Sequence, residues 1–149
     1  MTGSYLVFLL GEKLFGARLG GAVEILPWRR SRAVPLSYSY VEGLLDYRGT
    51  IYPVFNLAQR LGMNRQGPIG FIAGEKDSPR TGRSIILLEE NGVPFGIIAD
   101  SVVKTARLEE AAAAVEQPQD IDPQFVKGLV FDDDQEITIL DFERLFHAG

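Results

Sequence analysis

The sequence contains no cysteine. Disulfides, thiolate metal sites and cysteine nucleophiles are excluded together, and a reducing compartment is the natural expectation. Histidine is almost as scarce: one residue, His147, stands near the end of the chain. Chain ends seldom hold a catalytic geometry. With neither residue type at hand there is no Ser-His-Asp or Cys-His arrangement and no zinc spacing. A Gly-x-x-x-x-Gly-Lys-Ser/Thr phosphate loop is also missing. Long apolar runs are absent too. "YLVFLL", Tyr5 to Leu10, is the longest, against the ~18 residues of a membrane-spanning helix. The start, "MTGSYLVFLLGEK", lacks the basic beginning and longer apolar core of a signal peptide. Positive charge is thin as well. The formal net charge is −5 and the pI about 4.9. "WRRSR", Trp28 to Arg32, stands out but is too short to track nucleic acid, and an acidic balance disfavours anionic membrane surfaces. The expectation is a cytoplasmic protein that is not an enzyme, with no cofactor, no metal, no nucleic-acid partner and no direct membrane insertion.

What is present is a set of short apolar segments in a chain of 149 residues. A chain of this length makes one domain or two small ones and can bury roughly 70% of its unfolded surface. "SYLVFLLG", "FGARLGGAVEIL", "TIYPVFNL", "GPIGFIAG", "RSIILLEENG", "VPFGIIADSVVKTARL" and "QEITILDF" are rich in Val, Ile, Phe and Tyr. Gly, Pro, Asn or Asp separates them, which predicts many short strands. In "LLEENGVPFGII", Asn91-Gly92 predicts a two-residue hairpin turn. Helix signals are few. Asn56 can cap a short helix that ends at Gly62, and Asp141 can cap another within Leu140 to Phe146. "LEEAAAAVEQ" has helix formers and reads as a short helix or a loop before "PQDIDP".

The chain also echoes itself. Phe15-Gly16 with Val23 returns 80 residues later as Phe95-Gly96 with Val103. Val41-x-Gly43-Leu44 returns 85 residues later as Val126-x-Gly128-Leu129. Each copy reads as strand, strand, a loop with Pro, a strand hairpin and a short capped helix. Two small all-β units are the simplest account, and closure into barrels would remove their sticky edges.

Acidic stretches offer little chemistry. "DDDQE", Asp132 to Glu136, lacks the Gly and distal Glu of a calcium loop and sits where a hairpin turn is expected. The carboxylates of Glu89-Glu90 and Glu109-Glu110 could do acid–base work only in a cleft, and nothing places them in one. Arg48 attracts more attention. Asp46, Tyr47, Arg48 and Gly49 interrupt two apolar runs in "VEGLLDYRGTIYPVFNLAQRLG". They suit a turn, and an Arg on a tight loop is also a handle for recognition.

"GLLDYRGTIYPVFNLAQRLG" resembles the central signature of the CheW-like domain, the adaptor domain of bacterial chemotaxis arrays. That pattern runs from a Gly through Asn-Leu-Arg-Gly and Pro-Val to Asp-Leu and Leu-Gly. "YLVFLLGEKLFGARLGGAVEIL", "AVP", "FGIIADSVVKTARL" and "GLVFDDDQEITILDFERLF" are similar to the same family in the same order. The resemblance implies one CheW-like domain over residues 1–149, all-β with a few short helices. It would hold two intertwined, SH3-like five-stranded β-barrel subdomains, with the first-barrel motif at 15–62 and the second at 95–146. It implies a non-catalytic adaptor between a chemoreceptor's cytoplasmic tip and the regulatory domain of a CheA-type histidine kinase. A paralogous adaptor for another chemosensory-like pathway, such as pilus-based motility, is the alternative.

By resemblance, Arg48 and Gly49 match the signature Arg-Gly and Gly43 the opening Gly. Glu24 matches an acidic partner-binding position, and Asp100 an Asp near the second-barrel turn. Tyr47, where the family has Leu, joins the candidate surface, since aromatic residues favour interfaces. Each residue keeps a structural alternative: an internal bond that pins the loop for Arg48, conformation for Gly43, local partners for Glu24 and Asp100. Asp46 stands where the family has Asn and could pair with Arg48; Asn56 stands where it has Asp.

Overall fold

The structure is a computed structural model that describes residues 2–19, 24–35, 38–63, 83–109 and 121–146. "GPIGFIAG", most of "LEEAAAAVEQ", Val23 and His147 lie outside the described residues.

Among the described residues, segments with alternating or continuous apolar patterns form ten strands in chain order. They are β1 (Thr2–Leu10), β2 (Lys13–Arg18), β3 (Glu24–Pro27), β4 (Val41–Tyr47), β5 (Thr50–Phe55), β6 (Ser84–Glu90), β7 (Val93–Ala99), β8 (Ser101–Glu109), β9 (Val126–Asp132) and β10 (Gln135–Leu140). Two short helices follow the hairpins β4–β5 and β9–β10: α1 (Leu57–Arg60) and α2 (Phe142–Phe146). Both caps read from the sequence are in place. Asn56 Oδ1 accepts from the Gln59 N–H at 3.0 Å, and Asp141 Oδ1 from the Arg144 N–H at 3.2 Å. The Asn91-Gly92 turn carries left-handed backbone at both positions, φ 53° and 79°.

The strands form two five-stranded sheets, ordered β8-β1-β2-β10-β9 and β3-β6-β7-β5-β4. Adding five to each strand number of the second order, with β6 and β7 returning to β1 and β2, reproduces the first. Each half of the chain therefore lends its leading hairpin to the other half's sheet. The stretch 15–62 is divided between the two sheets, because β2 pairs in parallel with β10 while β5 pairs in parallel with β7.

The echo extends to the register. Gly16 lies opposite Ile139, and Gly96 opposite Val54, as offsets of 80 and 85 require. A bulge follows Val41 in β4 at Glu42, and its counterpart follows Val126 in β9 at Lys127. The glycines have a packing reason. A Cβ on Gly16 would sit 2.7 Å from the Ile139 side chain, and one on Gly96 3.1 Å from that of Leu87. The side chains of the neighbouring strand, β10 for Gly16 and β6 for Gly96, take the space that a side chain would need.

Each sheet curls over its own small core. One holds Tyr5, Val7, Val130 and Ile139, the other Leu26, Leu45, Val54 and Ile85. In the second sheet, Arg32 bridges Leu44 beyond the end of β3, bringing the two edges of that sheet together. A third and larger core joins the sheets, with Phe8, Phe15, Ile86 and Ile97 from strands and Leu57 and Leu145 from the helices. Arg60 of α1 ties the halves at this junction. Its Nε donates to the Leu145 carbonyl of α2 at 2.6 Å, and its guanidinium lies 4.9 Å from the Tyr40 ring centroid and 4.6 Å from that of Phe125.

Candidate partner-binding site

The hairpin β4–β5 ends in Arg48-Gly49, with φ 52° and 83°. The paired φ > 0 geometry suits the right-handed twist of the flanking strands. Gly49 takes it without steric cost, and Asp46 Oδ1 locks the loop by accepting the Gly49 N–H at 3.2 Å. Arg48 takes it against its own preference, since only Gly, Asn and Asp visit this region readily. Among the described residues, the other non-Gly positions with positive φ carry Asn91, Asp133 and Asp134. The turn thus holds an exposed Arg at a backbone position better suited to Asn. The Tyr47 ring, packed at the edge of the barrel core, lies 5.2 Å from the Arg48 guanidinium carbon. Asp46, expected as a possible partner of Arg48, is engaged with the loop backbone.

Glu24 is exposed on β3, opposite Leu87. Its counterpart in the repeat is Lys104, opposite Val7 on β8. Lys104 makes an ion pair with Asp132, the counterpart of Tyr47, and that hydrogen bond holds its ammonium above the ordinary range. The two hairpin tips differ in charge. One presents Arg48 and Gly49, the other Asp133 and Asp134.

Gly43 is buried, and its reason is conformational. A Cβ there would fall 2.5 Å from the Arg32 carbonyl oxygen and 2.5 Å from Ser31 Oγ. The Gly lets the 31–32 segment lie against β4. Asp100 sits away from the hairpin tip. Its Oδ2 accepts the Gly11 N–H at 2.6 Å. Its Oδ1 lies 3.2 Å from Arg83 Nε, near enough for an ion pair though not aligned as a hydrogen bond. The structure groups Tyr47, Arg48 and Gly49, and turns Asp100 inward. Arg83 and Arg60 were not singled out from the sequence, and Glu90 was set aside with Glu89 as a pair that nothing placed in a cleft. Their partners lie across the fold, 17 residues away for Arg83, 85 for Arg60 and 37 to 53 for Glu90.

A family model for the CheW-like domain matches residues 4–149. The chain belongs to the CheW-like domain family. It is 27% identical over 144 residues to a probable chemotaxis protein CheW of Rhizobium etli, covering 95% of this chain and 85% of that one. It is 33% identical over 112 residues to the chemotaxis protein CheW of Thermotoga maritima, covering 75% and 66%. The crystal structure of the scaffolding protein TtCheW from Thermoanaerobacter tengcongensis superposes with a TM-score of 0.78 at 27% identity, over 100% of this chain and 90% of that one. The all-β, two-sheet reading and the CheW-like resemblance hold. Among the described residues no helix is long and apolar enough to cross a membrane, and no group of three or more His, Asp or Glu could hold a metal ion.

Proposed function

We propose that this protein is a cytoplasmic, non-catalytic adaptor of a bacterial chemotaxis-type pathway, coupling a chemoreceptor's cytoplasmic tip to the regulatory domain of a CheA-type histidine kinase. The observation that carries the reading is the family match over nearly the whole chain, to relatives named as chemotaxis proteins and to a scaffolding protein. Those names favour chemotaxis over a pilus-motility pathway. Arg48 is the residue assigned to recognition. It is exposed, its side chain is held against Tyr47, and its backbone conformation is one that Arg does not choose. A planar guanidinium gives directional bonds to carboxylates and carbonyls. Tyr47 and Glu24 complete the assigned surface, Gly49 shapes it, and Gly43 and Asp100 support it from within. The oppositely charged hairpin tips suit a protein that meets two different partners.

The test is calorimetric titration with the regulatory domain of a CheA-type kinase from the same genome. Wild type should bind, and Arg48→Ala should weaken binding by about 1–3 kcal/mol with its circular dichroism unchanged. Equal binding by both would return Arg48 to loop structure. No binding by wild type would overturn the coupling assignment.

A further inference from the structure

The repeat supplies an internal control for a groove between the β6–β7 turn and α2. The groove encloses about 290 Å³ and is lined by Phe55 and Phe95 from strands and by Phe142 and Phe146 from α2. Phe55 and Phe146 stack with centroids 4.1 Å apart, and Phe95 meets Phe146 at 5.6 Å. Glu90 and Glu143 are the charged members of its described lining, and Val93 at its edge is 60% exposed.

The same offsets that align the strands give each position a counterpart in the other half. Leu10 corresponds to Glu90, Leu57 to Phe142, Ala58 to Glu143 and Leu61 to Phe146. All four counterparts are buried in the shared core. The fold is therefore satisfied there by aliphatic side chains, closed over. Phe95 repeats Phe15, a buried ring of the other half, but the rings of Phe142 and Phe146 and the carboxylates of Glu90 and Glu143 are not demanded by the architecture. Phe95 and Phe142 are buried, but Phe55 and Phe146 stay partly open, which forfeits burial free energy at roughly 25 cal/mol per Å² unless something covers them.

We propose that this groove docks a short basic-apolar peptide segment of a partner protein, one apolar side chain seated among the Phe rings and a Lys or Arg beside it meeting Glu90 and Glu143. The charge argument is local. Burial raises the Glu90 carboxyl above its ordinary range; Lys127 opposes this, while Asp141 and Glu143 add to it. An incoming cation offsets that surplus of acid, and it can also lie over a ring face. The strands that line the groove, β5 and β7, are interior to their sheet. No edge is free here for strand addition, so recognition falls to side chains. This goes beyond the adaptor reading and does not depend on Arg48.

The experiment is a ¹⁵N NMR titration of the full chain with a capped nonapeptide alternating Lys with Leu and Phe, beside its Glu-for-Lys twin. The basic peptide should give saturable shifts at the amides of Asn91, Val93 and residues 142–146, and the acidic twin at least tenfold weaker ones. The double variant Glu90→Leu/Glu143→Ala takes its side chains from the other half of the same protein. It should fold normally and lose at least tenfold in affinity. No saturable shift, equal affinity for the two peptides, shifts elsewhere, or an unaffected double variant would each overturn the proposal. Concentration-dependent shifts at the same amides without peptide would overturn it in favour of a second copy of the chain.

Discussion

Arg83 and Asp100 face each other with side chains only 7% and 9% exposed, Nε 3.2 Å from Oδ1. Arg83 precedes β6 of the second sheet, and the other oxygen of Asp100 holds the β1–β2 turn of the first sheet through the Gly11 N–H. One carboxylate thereby fastens the two sheets together. Removing a single partner strands a charge in a poorly hydrated place, which costs about 3–5 kcal/mol. Asp100→Ala should lower the urea midpoint accordingly. A midpoint within error of wild type would reopen a binding role for Asp100.

Arg48→Asn should act in opposite directions on stability and on binding. Asn accepts left-handed backbone more readily than Arg, so the variant should gain about 0.5–1 kcal/mol in chemical denaturation. It should also lose affinity for the kinase domain, because the guanidinium is gone. Loss of both properties would mean that Arg48 serves the loop itself.

Gly43→Ala places a methyl group against the Arg32 carbonyl, and backbone cannot step aside as a flexible side chain can. A loss of about 1–3 kcal/mol is expected. Hydrogen exchange should localise the damage, with the Arg32 and Leu44 amides losing protection first, since each bonds to the other residue's carbonyl.

Arg60→Leu removes a hydrogen bond and a ring contact between the halves, to Leu145 and Phe125, and a ring contact to Tyr40 within its own half. It should cost about 1–3 kcal/mol. Arg60→Lys keeps the charge but not the planar fork, and should recover only part of the loss in thermal unfolding.

Glu90 sets a pH dependence whose sign follows from its raised carboxyl. The folded state holds this proton more tightly than the unfolded chain does. Folding is therefore favoured as pH falls toward the ordinary 4.5, and the contribution is lost as pH rises through the folded value. Glu90→Gln should flatten that part of the stability curve and stabilise the protein at neutral pH. The amplitude should be small because the group remains partly solvated. An unchanged curve would show that Glu90 is not strained in the fold.

Much of this fold was legible in the chain. The Asn91-Gly92 turn and both capped helices follow from local chemistry, where one or two residues decide the backbone. The echo of Phe-Gly and Val-x-Gly-Leu anticipated a repeat that proved accurate to the register and to a shared bulge. Partner choice was not legible. Period-2 patterning tells which face of β2 is buried, but not that its parallel neighbour is β10, more than 100 residues on. Arg83 reads as an ordinary Arg until Asp100 is placed against it. Arg48 was visible through family spacing, whereas its left-handed backbone and its contact with Tyr47 needed the structure. The Phe-lined groove was hidden because its rings come from β5, β7 and α2, each of which looks like plain core.

The lending of hairpins between sheets bears on how the protein is made. During synthesis β1 and β2 emerge long before β10, the strand that pairs with β2 in their sheet. Such distant pairings make for slow folding and a long interval of exposed edges. A nascent chain of the first half alone would hold two strands of one sheet and three of the other, with neither core closed. The halves are thus obligate companions, and the chain divided between β5 and β6 would yield two fragments that reach structure only by meeting.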